Sequence, residues 1–141
     1  RRTAGEGGML RMGFDLRKDR ETLELAYDDP EGVTAAFNLN VLERANREVG
    51  ADFDLDKWRH RATWNPGLGR VELEVVSTAA QTVTVGERSF EIDRGEAIYT
   101  ESSHKFTVEG FGVELATLGF GVERAWTDPD SKFAVLLAVG V

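Results

Sequence analysis

The chain contains no cysteine, so disulfides, thiolate nucleophiles and cysteine-ligated metals are excluded at the outset. It has no run of eighteen apolar residues and opens on no basic-then-apolar leader, so neither membrane spanning nor secretion is supported. With no disulfide to maintain, the cytoplasm is the expected home. Clusters of basic residues are missing as well. The formal net charge of −8 is spread along the chain, which argues against nucleic acid as a partner, because phosphate binding depends on grouped Lys and Arg that release counterions. His60 and His104 are the only imidazoles, and neither has a second His, a Cys or a carboxylate at recognised zinc spacing, so no metal is expected.

What remains is ordinary globular composition: 141 residues, 41% hydrophobic and 30% charged, with no repeat or low-complexity stretch. Residues 9–16 form a short apolar run that suits a buried strand. A helix is expected over 20–27, broken by Asp28-Asp29-Pro30. A longer one is expected over 31–49, with Val33, Phe37, Val41, Leu42 and Ala45 on one face, Asp29 and Pro30 as cap and first turn, and Gly50 as its stop. After a short acidic helix over 54–58, the period changes from about 3.6 to 2. Residues 59–64, 70–77, 81–85 and 89–92 then read as an antiparallel meander. Residues 96–103 fit a strand or a helix start, 105–118 a helix closed by Gly119, and 121–126 with 133–139 a terminal hairpin. This order is α/β or α+β, with too few parallel strands for a complete doubly wound sheet. Residues 1–8 read as linker and carry no initial methionine, so further structure is expected upstream.

Candidate chemistry is sparse. Gly5, Gly7 and Gly8 precede a strand, whereas a nucleotide-binding glycine loop follows one and opens a helix. Ser102, Ser103 and His104 adjoin, but no G-x-S-x-G elbow surrounds them, which disfavours a serine hydrolase. Trp58, Trp64 and Trp126 with Tyr27 and Tyr99 could cage a cationic amine, although core packing is the simpler role for each. Glu101, in the polar cluster Thr100-Glu101-Ser102-Ser103, is harder to set aside. A carboxylate in a mostly apolar segment needs a partner, and a cationic ligand would be one.

The stretch Gly13-Phe14-Asp15-Leu16-Arg17-Lys18-Asp19, followed by Ala26-Tyr27-Asp28-Asp29-Pro30 and on to Phe37-Asn38-Leu39-Asn40, resembles the histidine-specific methyltransferases of ergothioneine biosynthesis. Gly50-Ala51-Asp52-Phe53-Asp54, His60-Arg61-Ala62, Trp64-Asn65, Arg70-Val71-Glu72-Leu73, Thr100-Glu101 with Ser103 and Lys105-Phe106, and Trp126-Thr127-Asp128 continue the likeness from about residue 9 to the end. The resemblance implies the C-terminal portion of a class I (Rossmann-like) methyltransferase with an inserted α+β substrate-binding domain. Residues 1–19 would be linker and the fifth sheet strand, 20–105 the substrate-recognition insertion, and 106–141 a helix and the last two strands.

The family's glutamate and serine that contact the histidine imidazole fall on Glu101 and Ser103. The tyrosine holding the amino-acid backbone end falls on Tyr27. Leu73 stands at a pocket position usually occupied by methionine. The implied reaction is three methyl transfers from S-adenosylmethionine to the α-amine of L-histidine, giving its trimethyl betaine, with these residues positioning substrate and none acting as a catalytic acid or base. The cofactor motif has no counterpart in this chain, which implies a split enzyme: a heteromer whose partner polypeptide carries the cofactor-binding Rossmann half. A non-catalytic amino-acid or betaine-binding module, a subunit with a degenerate pocket, and the same chemistry on another aromatic or modified amino acid are the alternatives.

Overall fold

The computed structural model describes residues 5–141, so residues 1–4 of the expected linker lie outside the described residues. The elements in order are β1 (Met9–Asp15), α1 (Arg20–Tyr27), α2 (Val33–Val49), β2 (Trp58–Asn65), β3 (Arg70–Ser77), β4 (Gln81–Val85), β5 (Arg88–Ile92), β6 (Ala97–His104), α3 (Val108–Thr117), β7 (Phe120–Thr127) and β8 (Phe133–Gly140). The chain divides into two compact units. One joins the N-terminal segment through Asp19 to His104–Val141, and the other is Arg20–Ser103.

The first unit is built on β8, whose strict alternation buries Ala134, Leu136 and Ala138 on one face. That face packs with Phe111 and Leu115 of α3, with Phe14, Leu16 and Phe120 completing the core. The sheet order is β1-β8-β7, with β8 antiparallel to both neighbours, so β1 and β7 run parallel to each other. The Phe133 ring lies across Gly13, where an added Cβ would sit 2.8 Å from its Cζ. Residues 5–8, expected as linker, form a turn held to the sheet, with the Gly7 N–H donating to the Gly140 carbonyl at 3.0 Å.

The chain leaves β1 and returns to α3 through a tight clasp within this unit. Leu16 and Phe106 form a parallel bridge, and the Arg17 N–H donates to the Phe106 carbonyl at 3.0 Å. Lys105, almost fully buried, places Nζ 2.9 Å from Asp15 Oδ2, and Lys18 binds the other oxygen of the same carboxylate. Burial pushes the Asp15 carboxyl up, but the two lysines outweigh that and hold it below its ordinary value of 3.8. The helix expected over 105–118 starts later, at Val108, because Thr107 caps it by accepting from the Gly110 N–H.

In the Arg20–Ser103 unit, α1 and α2 accompany a sheet of order β2-β3-β6 and a separate β4-β5 hairpin. The meander expected from the sequence is therefore interrupted after its first hairpin: β3 is followed in the sheet by β6, and β4 pairs with β5 and, through Val85, bridges Ala51. The acidic helix expected over 54–58 is a single 3-10 turn, Leu55–Lys57. Two apolar clusters form. Leu23, Val71 and Leu73 make one, and Leu42, Trp58, Val75 and Val83 the other.

The face of α2 differs from expectation. Val33, Phe37 and Val41 are exposed, and the side chains α2 buries are Asn38 and Leu42. Its start also shifts: Gly32, at φ 70, occupies the cap position, while the Asp29 carboxylate accepts from the N–H groups of Val33 and Thr34 at 2.8 Å each. Asp29 thus supplies the capping oxygens from a turn, and Pro30 lies outside the helix. Gly50, at φ 66, ends α2 as the sequence suggests.

Candidate functional site

Tyr27 closes α1, and the last carbonyls of a helix have no partner inside it. The Tyr27 carbonyl receives His60 Nε2 at 2.7 Å, which satisfies that group from β2. A carbonyl only accepts, so Nε2 carries the proton, and in a neutral imidazole Nδ1 is then the acceptor. Asn38 Nδ2 stands 2.8 Å from Nδ1 and also donates to the Glu74 carbonyl at 3.0 Å. Asn38 and His60 are both buried, and both ring nitrogens of His60 are used in this chain of bonds.

At its other end Tyr27 places its hydroxyl 2.7 Å from Ser103 Oγ on β6. Glu101 lies two residues earlier on the same strand, so it projects to the same side as Ser103. The neighbouring residue Thr100 turns the other way and donates its hydroxyl to the Leu73 carbonyl at 2.9 Å. Leu73 is buried with Leu23 and Val71, and Tyr27 packs against that cluster. The four residues expected from the sequence therefore fall in one unit: Tyr27 and Ser103 in contact, Leu73 in the apolar support against which Tyr27 packs, and Glu101 exposed on β6.

A groove of about 210 Å³ runs beside Glu101, walled by Phe37, Asn38, Asn40, Val41 and Arg44 of α2 and by Thr100. Its rim combines an acid, two amides, a guanidinium and an apolar ring. That set suits a small polar molecule with a cationic or N–H-bearing group facing Glu101. Asn38 reaches the groove wall and the Tyr27 network alike.

The other candidates disperse. Trp58 is a core residue, Trp64 packs against the cluster of Leu23, Val71 and Leu73, Trp126 lies under Arg124 with the guanidinium 5.1 Å from its ring, and Tyr99 faces Arg70 at 5.7 Å. The His104 ring stacks with Phe106, and strand alternation turns it away from Ser103. Among the described residues no group of three His, Asp or Glu is placed to hold a metal ion, and no helix is long and apolar enough to cross a membrane.

The sequence shows His60 and Asn38 only as members of matched stretches, with no metal expected at His60 and no role apparent for either. One signal was available: Asn38 and Leu42 are four apart, so a polar residue shares the buried helical face with an apolar one.

Known proteins resemble the chain over nearly its whole length. The histidine N-alpha-methyltransferase of Mycolicibacterium smegmatis is 46% identical over 139 residues, covering 97% of this chain and 43% of that protein. The protein of the same name from Mycobacterium tuberculosis is 45% identical over 134 residues, covering 94% and 42%. Ergothioneine biosynthesis protein 1 of Schizosaccharomyces pombe is 31% identical over 97 residues, covering 68% and 12%. The chain thus spans well under half the length of these relatives. A solved S-adenosylmethionine-dependent methyltransferase from Clostridium acetobutylicum superposes with a TM-score of 0.40 at 9% identity, covering 95% of this chain and 45% of that one. Residues 1–139 match the family model described as histidine-specific methyltransferase, SAM-dependent, and the chain belongs to that family.

Proposed function

We propose that this chain is the substrate-recognising half of an enzyme that methylates the α-amine of L-histidine to its trimethyl betaine, and that it requires a partner polypeptide to do so. The observation that carries this reading is the Tyr27–Ser103 contact at 2.7 Å, with Glu101 on the same side of β6. Glu101 and Ser103 would hold the two ring nitrogens, and Tyr27 the amino-acid end. A site that hydrogen-bonds a ring N–H rejects apolar side chains strongly, because its own polar groups would be left unpaired. Fixing the ring fixes the direction of the amine, and orientation is the main service this chain can render.

The described residues do not fit S-adenosylmethionine. The two strand-to-helix connections, 16–19 and 105–107, contain no glycine, and the glycines at 5, 7 and 8 lead into a strand. The methyl donor is therefore assigned to the partner. In this reading residues 20–105 are the insertion that recognises substrate, while β1, β7 and β8 close a class I methyltransferase sheet. Support comes from the parallel relation of β1 and β7, with α3 preceding β7 and packing on it, which is a crossover rather than a meander. The outer edge of β1 pairs with no strand among the described residues, and an open edge invites one. The exposed stripe of Val33, Phe37 and Val41 beside the Glu101 groove gives the partner a second apolar surface to cover.

The test is calorimetric titration of L-histidine into the chain, alone and mixed with a cofactor-binding partner, with methylation followed by mass spectrometry. The mixture alone is expected to yield mono-, di- and trimethylated histidine, and Glu101→Ala to abolish this. Ligand binding by the lone chain, with no methylation in any mixture, would replace this reading with that of a binding module.

A further inference from the structure

We infer that Asn38 and His60 are positioning residues, which act through the Tyr27 backbone to hold the Tyr27 hydroxyl against Ser103 and so preset the amino-acid site. This rests on the reading of Tyr27 and Ser103 as substrate-binding residues. The Tyr27 carbonyl is fixed by His60 at 2.7 Å and its hydroxyl by Ser103 at 2.7 Å, so the residue is held at both ends. Neither bond is local: β2 provides one and β6 the other.

The tautomer makes the device one-directional. Asn38 spends both amide N–H groups, on His60 Nδ1 and on the Glu74 carbonyl, and so presents a donor to the ring. A flipped Asn38 would set its oxygen against the Glu74 carbonyl, two acceptors facing each other in a buried place. Asn38 therefore selects the tautomer in which Nε2–H points at Tyr27. It also forms part of the wall of the groove beside Glu101, so one side chain links that groove to the tyrosine. A buried polar pair with no ligand duty would be better replaced by apolar packing unless its geometry is itself needed.

The chain has two tyrosines, Tyr27 and Tyr99, so 3-fluorotyrosine labelling gives two fluorine resonances, assigned with Tyr99→Phe. His60→Leu and Asn38→Leu are expected to move or broaden the Tyr27 resonance and leave that of Tyr99 in place. His60→Gln, whose amide reaches the Nε2 position, should restore it, whereas His60→Asn, too short to reach, should not. Equal behaviour of the Gln and Asn variants, or an unmoved Tyr27 resonance in folded His60→Leu, overturns the inference.

In the methylating mixture, His60→Leu is expected to raise the KM for L-histidine about tenfold, the equivalent of about 1.4 kcal/mol, with kcat held within about twofold. Rescue by His60→Gln separates positioning from general loss of fold. A Tyr27→Phe variant with unchanged KM would sink the substrate reading itself, whatever the fluorine spectra report.

Discussion

The two units bury polar groups in opposite ways. In the unit built on β8, the core is apolar, and Lys105, the one charge buried among its described residues, is spent on tying the departing and returning chain together through Asp15. In the Arg20–Ser103 unit, Asn38, His60 and Ser77 are buried, and the first two form a chain of bonds that ends on the Tyr27 carbonyl. Burying polar groups costs free energy unless every donor and acceptor is matched, and a matched network allows only one geometry. The first unit is thus organised for holding strands and the second for holding a side chain in place.

The largest effect is expected at β8. Leu136→Ala should destabilise by about 3 kcal/mol, because it opens a cavity in the centre of the sheet-helix core. Urea unfolding checks this, and a loss well under 1 kcal/mol would mean that the core is not concentrated there. Next, Lys105→Met should cost about 2 kcal/mol, less than a fully buried pair would, because water still reaches Asp15. A neutral or stabilising result would show that the clasp is held by backbone bonds alone.

A smaller effect is expected with acid. The folded Asp15 carboxyl lies below 3.8, so its contribution is fully present above that value and is lost as pH falls through the folded value. Unfolding midpoints measured from about pH 5 to 2 should fall less steeply in Asp15→Asn than in the parent chain; parallel curves would remove Asp15 from the acid response. Smallest of all is Asp29, drawn down to about 2 by the Thr34 hydroxyl and by the N–H groups of Thr34 and Val33. Its support for the start of α2 is present above 3.8 and disappears toward pH 2. Asp29→Ala should lower helicity slightly by circular dichroism at neutral pH and leave the two chains alike near pH 2.

Much of the chain order was legible because it depends on neighbours. Gly50 stops α2 by adopting a left-handed conformation that other residues resist, and the alternation of β3 is visible in Arg70 to Ser77. What failed was long-range. The period-2 runs read as a meander, yet the second neighbour of β3 is β6, and no local pattern encodes that pairing. Val33, Phe37 and Val41 have the spacing of a core face, but periodicity identifies a stripe and not what covers it. Tyr27 and Ser103, far apart in sequence, could be named together only through resemblance. The bond between them, and the Asn38–His60 pair behind it, follow from folding.

The clasp at Asp15 and Lys105 also bears on the order of events as the chain folds. The Arg20–Ser103 unit is continuous in sequence and can fold as soon as it is synthesised, whereas β1 must wait for β8, its hydrogen-bonding partner near the other end of the chain. Closing so long a loop is slow, but its entropy grows only with the logarithm of loop length, so the interposed unit delays the sheet far more than it weakens it. Once that unit is folded, the loop to be closed is effectively much shorter, and the interposed unit becomes a folding aid to the sheet whose strands it separates in sequence.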